Sequence, residues 1–164
     1  MKTNFLENNH VVHVTPTARV ASAADLWDGN AATQVDTDVL SLANADGAVF
    51  IVSTSVNGTG NASVRICACS NTTPTTTVAV SFRYMVIAAP DTIVATGESK
   101  AYLTSTAADY VYVFEVDAAK VAEQGYKYVY LNADEVTNAA VEGQIVGFLT
   151  GLRYKEDDIG TQVA

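Results

Sequence analysis

Thr77–Ala88 reads Thr-Val-Ala-Val-Ser-Phe-Arg-Tyr-Met-Val-Ile-Ala. Val78, Val80, Phe82, Tyr84 and Val86 share one parity, and Ala79, Ser81, Arg83 and Met85 share the other. Side chains alternate across a strand, so this stretch predicts a strand with one core face and one semi-polar face. The same vocabulary recurs on either side. Asp46-Gly47 marks a turn between Val39–Leu42 and the apolar run Ala48–Val56. Ala62–Ser70 alternates Val64, Ile66 and Ala68 with Arg65, Cys67 and Cys69. Pro90-Asp91 and Gly97-Glu98 punctuate two short strands, Thr92–Thr96 and Lys100–Thr104, and Tyr110–Val116 is rich in aromatic and β-branched residues.

One helix interrupts the pattern. Asp117 is a good N-cap, Ala118–Gln124 are good helix formers, and Gly125 is a natural stop. Tyr126–Leu131 then predicts a strand, Asn132–Ala140 a loop, and Val141–Tyr154 a closing strand whose Gly143, Gly147 and Gly151 mark bulges or close packing. Many short strands between turn signals predict an all-β chain: an antiparallel β-sandwich or jelly-roll-like barrel with one short helix.

Met1–Gln34 differs in character, mixing turn formers with an Ala-rich middle. Its weak periodicity predicts an extended N-terminal arm over 1–34, ahead of a sandwich domain over 35–154 and a polar acidic tail over 155–164. The arm docks either on its own domain or on a neighbour. Mobile in the free protein, it is expected to become ordered on a partner, with Val20, Leu26 and Trp27 as apolar contacts. On that expectation, the domain folds without 1–34.

The chain carries 18 acidic against 9 basic residues, a formal charge of −9, and 49% of it is hydrophobic. Without a basic cluster it is a poor candidate for nucleic acid or an anionic membrane surface, and no apolar run approaches the ~20 residues of a membrane-spanning helix. Met1–Glu7 lacks the pattern of a secretory leader, so synthesis in the cytoplasm is expected. Cys67 and Cys69 lie two apart. On a strand their spacing of roughly 6–7 Å exceeds the ~4 Å between Cβ atoms that a disulfide needs. Two buried thiols are expected, with an inter-subunit bridge or a half-built metal site as the sharper readings.

Chemistry-bearing motifs are sparse. His10 and His13 sit three apart, on opposite faces of extended chain. Asp36 and Asp38 share a face and suit a hard cation only with further ligands, and Glu156, Asp157 and Asp158 lack the rest of a calcium loop. Solvated acidic faces are the reading adopted. The tyrosines suit a sugar-stacking platform, but on strands they are ordinary sheet filling. No residue is assigned a catalytic, cofactor-binding or metal-binding role, and the chain is read as non-enzymatic. A metal-dependent hydrolase using Asp36 and Asp38 is the enzymatic alternative.

Tyr110–Tyr154 runs Tyr-Val-Tyr-Val-Phe-Glu-Val-Asp, then Ala-Ala-Lys-Val-Ala-Glu-Gln-Gly-Tyr-Lys-Tyr-Val-Tyr-Leu, and after an Asn-containing loop Ile-Val-Gly-Phe-Leu-Thr-Gly-Leu-Arg-Tyr. This order resembles a family of small tailed-phage virion proteins, the capsid decoration (cement, head auxiliary) proteins. Val39–Ile51 and Ser81–Met85 resemble them more loosely. Where relatives often place Pro before the terminal Arg-Tyr, this chain has Leu152, and the arm before Val35 falls outside the pattern. The resemblance implies a structural virion component on the capsid exterior. It would bind the major capsid protein, stabilise the shell, and assemble as a homo-oligomer, a trimer ahead of a dimer. The alternative is a head fibre or tail-associated module that recognises a host glycan, for which Tyr102 and Tyr126 are the residues to test.

Overall fold

A computed structural model describes residues 5–14, 26–27, 34–55, 60–106, 109–137 and 139–152. Two antiparallel sheets pack on each other as a sandwich. The first has the spatial order β1 (Asn9–His13), β12 (Gly143–Thr150), β4 (Gly47–Thr54), β10 (Tyr110–Asp117), β7 (Phe82–Ala88) and β8 (Thr92–Ser99). The second is built on β11 (Tyr128–Thr137) and β5 (Asn61–Cys69). β2 (Gln34–Asp36) and β3 (Leu40–Ser41) pair with the outer side of β11, and β6 (Thr77–Val80) and β9 (Tyr102–Leu103) with the outer side of β5. Two short helices lie among the described residues: α1 (Phe5–Asn8) and α2 (Ala118–Ala122).

The alternating stretch Thr77–Ala88 is a single pattern but two strands. It divides at Ser81: β6 pairs with β5 in one sheet, and β7 pairs with β10 and β8 in the other. Val80, Phe82 and Val86 are all buried in one core, so the chain changes sheets without changing the face it turns inward. A strand that bends from one layer to the other closes a sandwich corner in this way. Phe82 meets Phe114 edge-on, with centroids 5.5 Å apart, in a core to which Phe50 and Tyr112 also belong. Across the gap, Val64, Ile66, Val129 and Leu131 supply the facing layer.

Other local expectations shift. β11 continues to Thr137 through residues read as a loop. Polar side chains suggested a loop there, but Asn132 donates from Nδ2 to Asp36 Oδ1 at 2.7 Å, and the backbone pairs with β2 and β5 on either side. β8 runs unbroken through Gly97, which lies so close to the Tyr84 ring that a Cβ would sit 2.7 Å from its hydroxyl oxygen. The residue read as a break is there for close approach. β12 ends at Thr150 and keeps even register with β4, so Gly143 and Gly147 mark close packing rather than bulges: a Cβ on Gly147 would sit 2.9 Å from Val14 Cγ1. α2 is shorter than expected, but Asp117 caps it by accepting from Ala119 N–H at 2.7 Å, and Gly125 follows at φ +79°.

Of the two dockings open to the segment before Val35, its described residues take the one on their own domain. Asn9–His13 is not outside the sandwich: as β1 it adds an edge strand to the first sheet, in register with β12. Val12, Val14, Leu26 and Trp27 belong to the main core, and Trp27 is 0% exposed. Leu26 N–H donates to Val141 O, tying that segment to the chain just before β12. These side chains are spent on the protein's own interior, because an indole and three aliphatic groups gain most by joining the nearest core. Val20 and the tail 155–164 lie outside the described residues.

Candidate docking surface

The core-facing parity of the first sheet leaves the other parity pointing outward. Cross-strand register arranges the outward residues in rows. One row runs His13, Val146, Ile51, Val113, Met85 and Thr96 across all six strands. The next runs Val11, Phe148, Val49, Glu115, Arg83 and Glu98, and the third Gln144, Ser53, Val111, Ile87 and Ile93. The aliphatic members of β4, β10 and β12 in these rows are half-buried by their neighbours and are not part of the core. Ile93 is 60% exposed and Val11 45%. Phe5 of α1 extends the surface, meeting Phe148 edge-on at 6.0 Å while remaining exposed itself.

Charge is confined to one corner. Arg83 and Glu115 pair at 2.7 Å, and Lys120 of α2 pairs with Glu98. The Lys120 partnership, with a hydrogen bond from Ser81 assisting, holds the Glu98 carboxyl below its usual range. With Asp117 at the end of β10, two cations meet three carboxylates at this corner, and the rows through Ile51 and Val111 carry no acidic, Lys or Arg side chain. A shallow polar groove of about 440 Å³ runs beneath the corner, lined by Ser81, Arg83, Glu115, Asp117 and Lys120.

The opposite outer face differs in chemistry. Asp36, Asn132 and Arg65 form a row there, and Arg65 pairs with Asp134. Beside them Cys67, Cys69, Tyr130 and Val39 form a small buried cluster. Both thiols are free. Burial raises Cys67 and pushes Cys69 up to about 11, so both stay protonated and unreactive near neutral pH.

The residues singled out for chemistry are dispersed. Asp36 is bound to Asn132, whereas Asp38 lies past the end of β2 with its carboxyl raised by burial and opposed by the charge of His13. Among the described residues no group of three or more His, Cys, Asp or Glu is placed to hold a metal ion. Tyr102 packs on Tyr84 at 4.5 Å and leans on the core, and Tyr126 lies beside α2 above a second groove, away from Tyr102's cluster. Glu156, Asp157 and Asp158 lie outside the described residues.

The apolar face itself went unread in the sequence, although its signal is present. Ala48–Val52, Tyr110–Phe114 and Ile145–Leu149 carry apolar residues or glycine on both parities, the pattern of strands covered on both faces rather than one. No family model, curated protein or solved structure matches this chain.

Proposed function

We propose that this protein is a structural assembly subunit that works by binding other proteins, with the exterior of a tailed-phage capsid as its setting and the major capsid protein as its partner. One observation carries the reading: an outward sheet face with aliphatic side chains at its centre and its charges gathered at one corner. Water-exposed apolar patches of this breadth favour association, because covering them releases roughly 25 cal/mol per Å². The resemblance of Tyr110–Tyr154 to capsid decoration proteins supplies the setting. In that setting the subunit adds contacts across the assembled shell and catalyses nothing.

Heads stripped of the protein and then titrated with it provide the test. The proposal expects saturable binding and a higher temperature of head rupture once sites are filled. Failure to bind stripped heads would refute it. Specific retention on a glycan array, lost on changing Tyr102 or Tyr126, would favour the host-recognition alternative.

A further inference from the structure

The outward face of the six-stranded sheet is built like the inside of a sandwich, and we infer that a second copy of this chain covers it, face to face, as a twofold pair. The inference deepens the assembly reading and rests on it: the pair is the unit that assembles, and the capsid protein meets surfaces of the pair other than this face. Three features of the face select this occupant. The first is size. Six strands at ~4.8 Å spacing, five to eight residues long at ~3.4 Å rise, give a face of roughly 700 Å². That is about the area one partner contributes to a standard stable interface of ~1,600 Å².

The second feature is charge. The chain carries a formal charge of −9, so two copies repel each other over most of their surfaces. On this face Arg83, Glu115, Glu98 and Lys120 are paired within the copy at one corner, where Asp117 caps α2 beside them, and the middle row is uncharged from Val146 to Thr96. Here an acidic chain approaches its twin without opposing like charges.

The third feature is shape. The row through Ile51 and Val113 puts aliphatic side chains at the centre of the face, on the two middle strands, β4 and β10. A central apolar patch with its charges at the margin has the layout of an interface core and rim. One flat face that covers itself requires a twofold axis, since each copy presents the same patch to the other. This geometry gives a pair where the family resemblance implies a threefold ring.

Sedimentation velocity on the full chain over a wide range of concentration tests the pairing. Wild-type protein should sediment as a dimer. Val113→Glu places an unpaired carboxylate at the centre of each copy's face, and should weaken the dimer about 100-fold or more, given several kcal/mol per buried, unpaired ion. Ser53→Arg adds charge at an outward position that is already polar and should also dissociate the pair, so the test survives if Val113→Glu fails to fold. Ser63→Lys on the opposite sheet should leave the dimer intact. Circular dichroism confirms the fold of each variant. A wild type that remains monomeric, or a folded Ser53→Arg variant that dimerises like the wild type, would overturn the inference. Monomers that still saturate stripped heads would overturn the pairing alone and leave the capsid reading standing.

Discussion

Replacing Trp27 with alanine asks whether the segment before Val35 is an arm or part of the domain. Trp27 is fully buried in the main core, together with Leu26 and Val14. Burying an aromatic side chain removes ~150–250 Å² from water, worth about 4–6 kcal/mol at ~25 cal/mol per Å². Measured large-to-small changes at such sites cost about 3–5 kcal/mol, because the remaining cavity collapses only in part. At ~2–4 °C per kcal/mol for a chain of this size, Trp27→Ala should lower Tm by roughly 6–20 °C. Thermal and urea unfolding followed by far-UV circular dichroism measures this without using the indole as the probe. In the wild type the only Trp should itself report unfolding through a shift of emission to longer wavelength. A Trp27→Ala protein melting within about 2 °C of wild type would refute the reasoning, because a loss that small, under ~1 kcal/mol, means the indole does not pack in the core.

Four further outcomes follow from the same packing. Removing residues 1–34 deletes β1 and the buried Val12, Val14, Leu26 and Trp27, so the truncated chain should show no cooperative unfolding transition by circular dichroism. Those four side chains together contribute on the order of the 5–15 kcal/mol that holds a domain folded. Asp117→Ala removes the cap of α2 and should cost about 1 kcal/mol in urea unfolding. Arg83→Ala breaks an exposed ion pair and should change stability by less than about 1 kcal/mol by the same assay. In alkali, burial pushes Cys69 from 9.0 up to about 11, and Tyr112 and Tyr130 from 10.0 up to about 12. The unfolded chain releases these protons first, so their contribution is complete below about pH 9 and is lost as pH rises towards 12, where the urea midpoint should fall.

Much of the fold was legible because its signals are local. Period-two alternation marks Ala62–Ser70 and Thr77–Ala88, aromatic and β-branched content marks Ala48–Val56 and Tyr110–Val116, and Asp117 and Gly125 bracket the helix. What stayed hidden depends on distant partners. Nothing within Thr77–Ala88 tells that its two halves join different sheets, since the inward parity is unchanged at Ser81. Asn132–Thr137 has the composition of a loop, and only Asp36 and the strands alongside make it a strand. Trp27 reads as an anchor, but the sequence on either side of it carries no periodicity to point it at a particular core. The candidate surface is hidden for a different reason. A single strand shows only which parity turns inward, and the cross-strand register alone assembles Ile51, Val113, Met85 and Val146 into one face.

Quantitative mass analysis of purified particles tests the central claim most directly, by counting this chain against the major capsid protein. A structural subunit of the shell predicts many copies per head in a fixed ratio to the capsid protein, with the count preserved in tailless heads. Detection in tails alone, or absence from particles while abundant in infected-cell cytosol, would contradict the account.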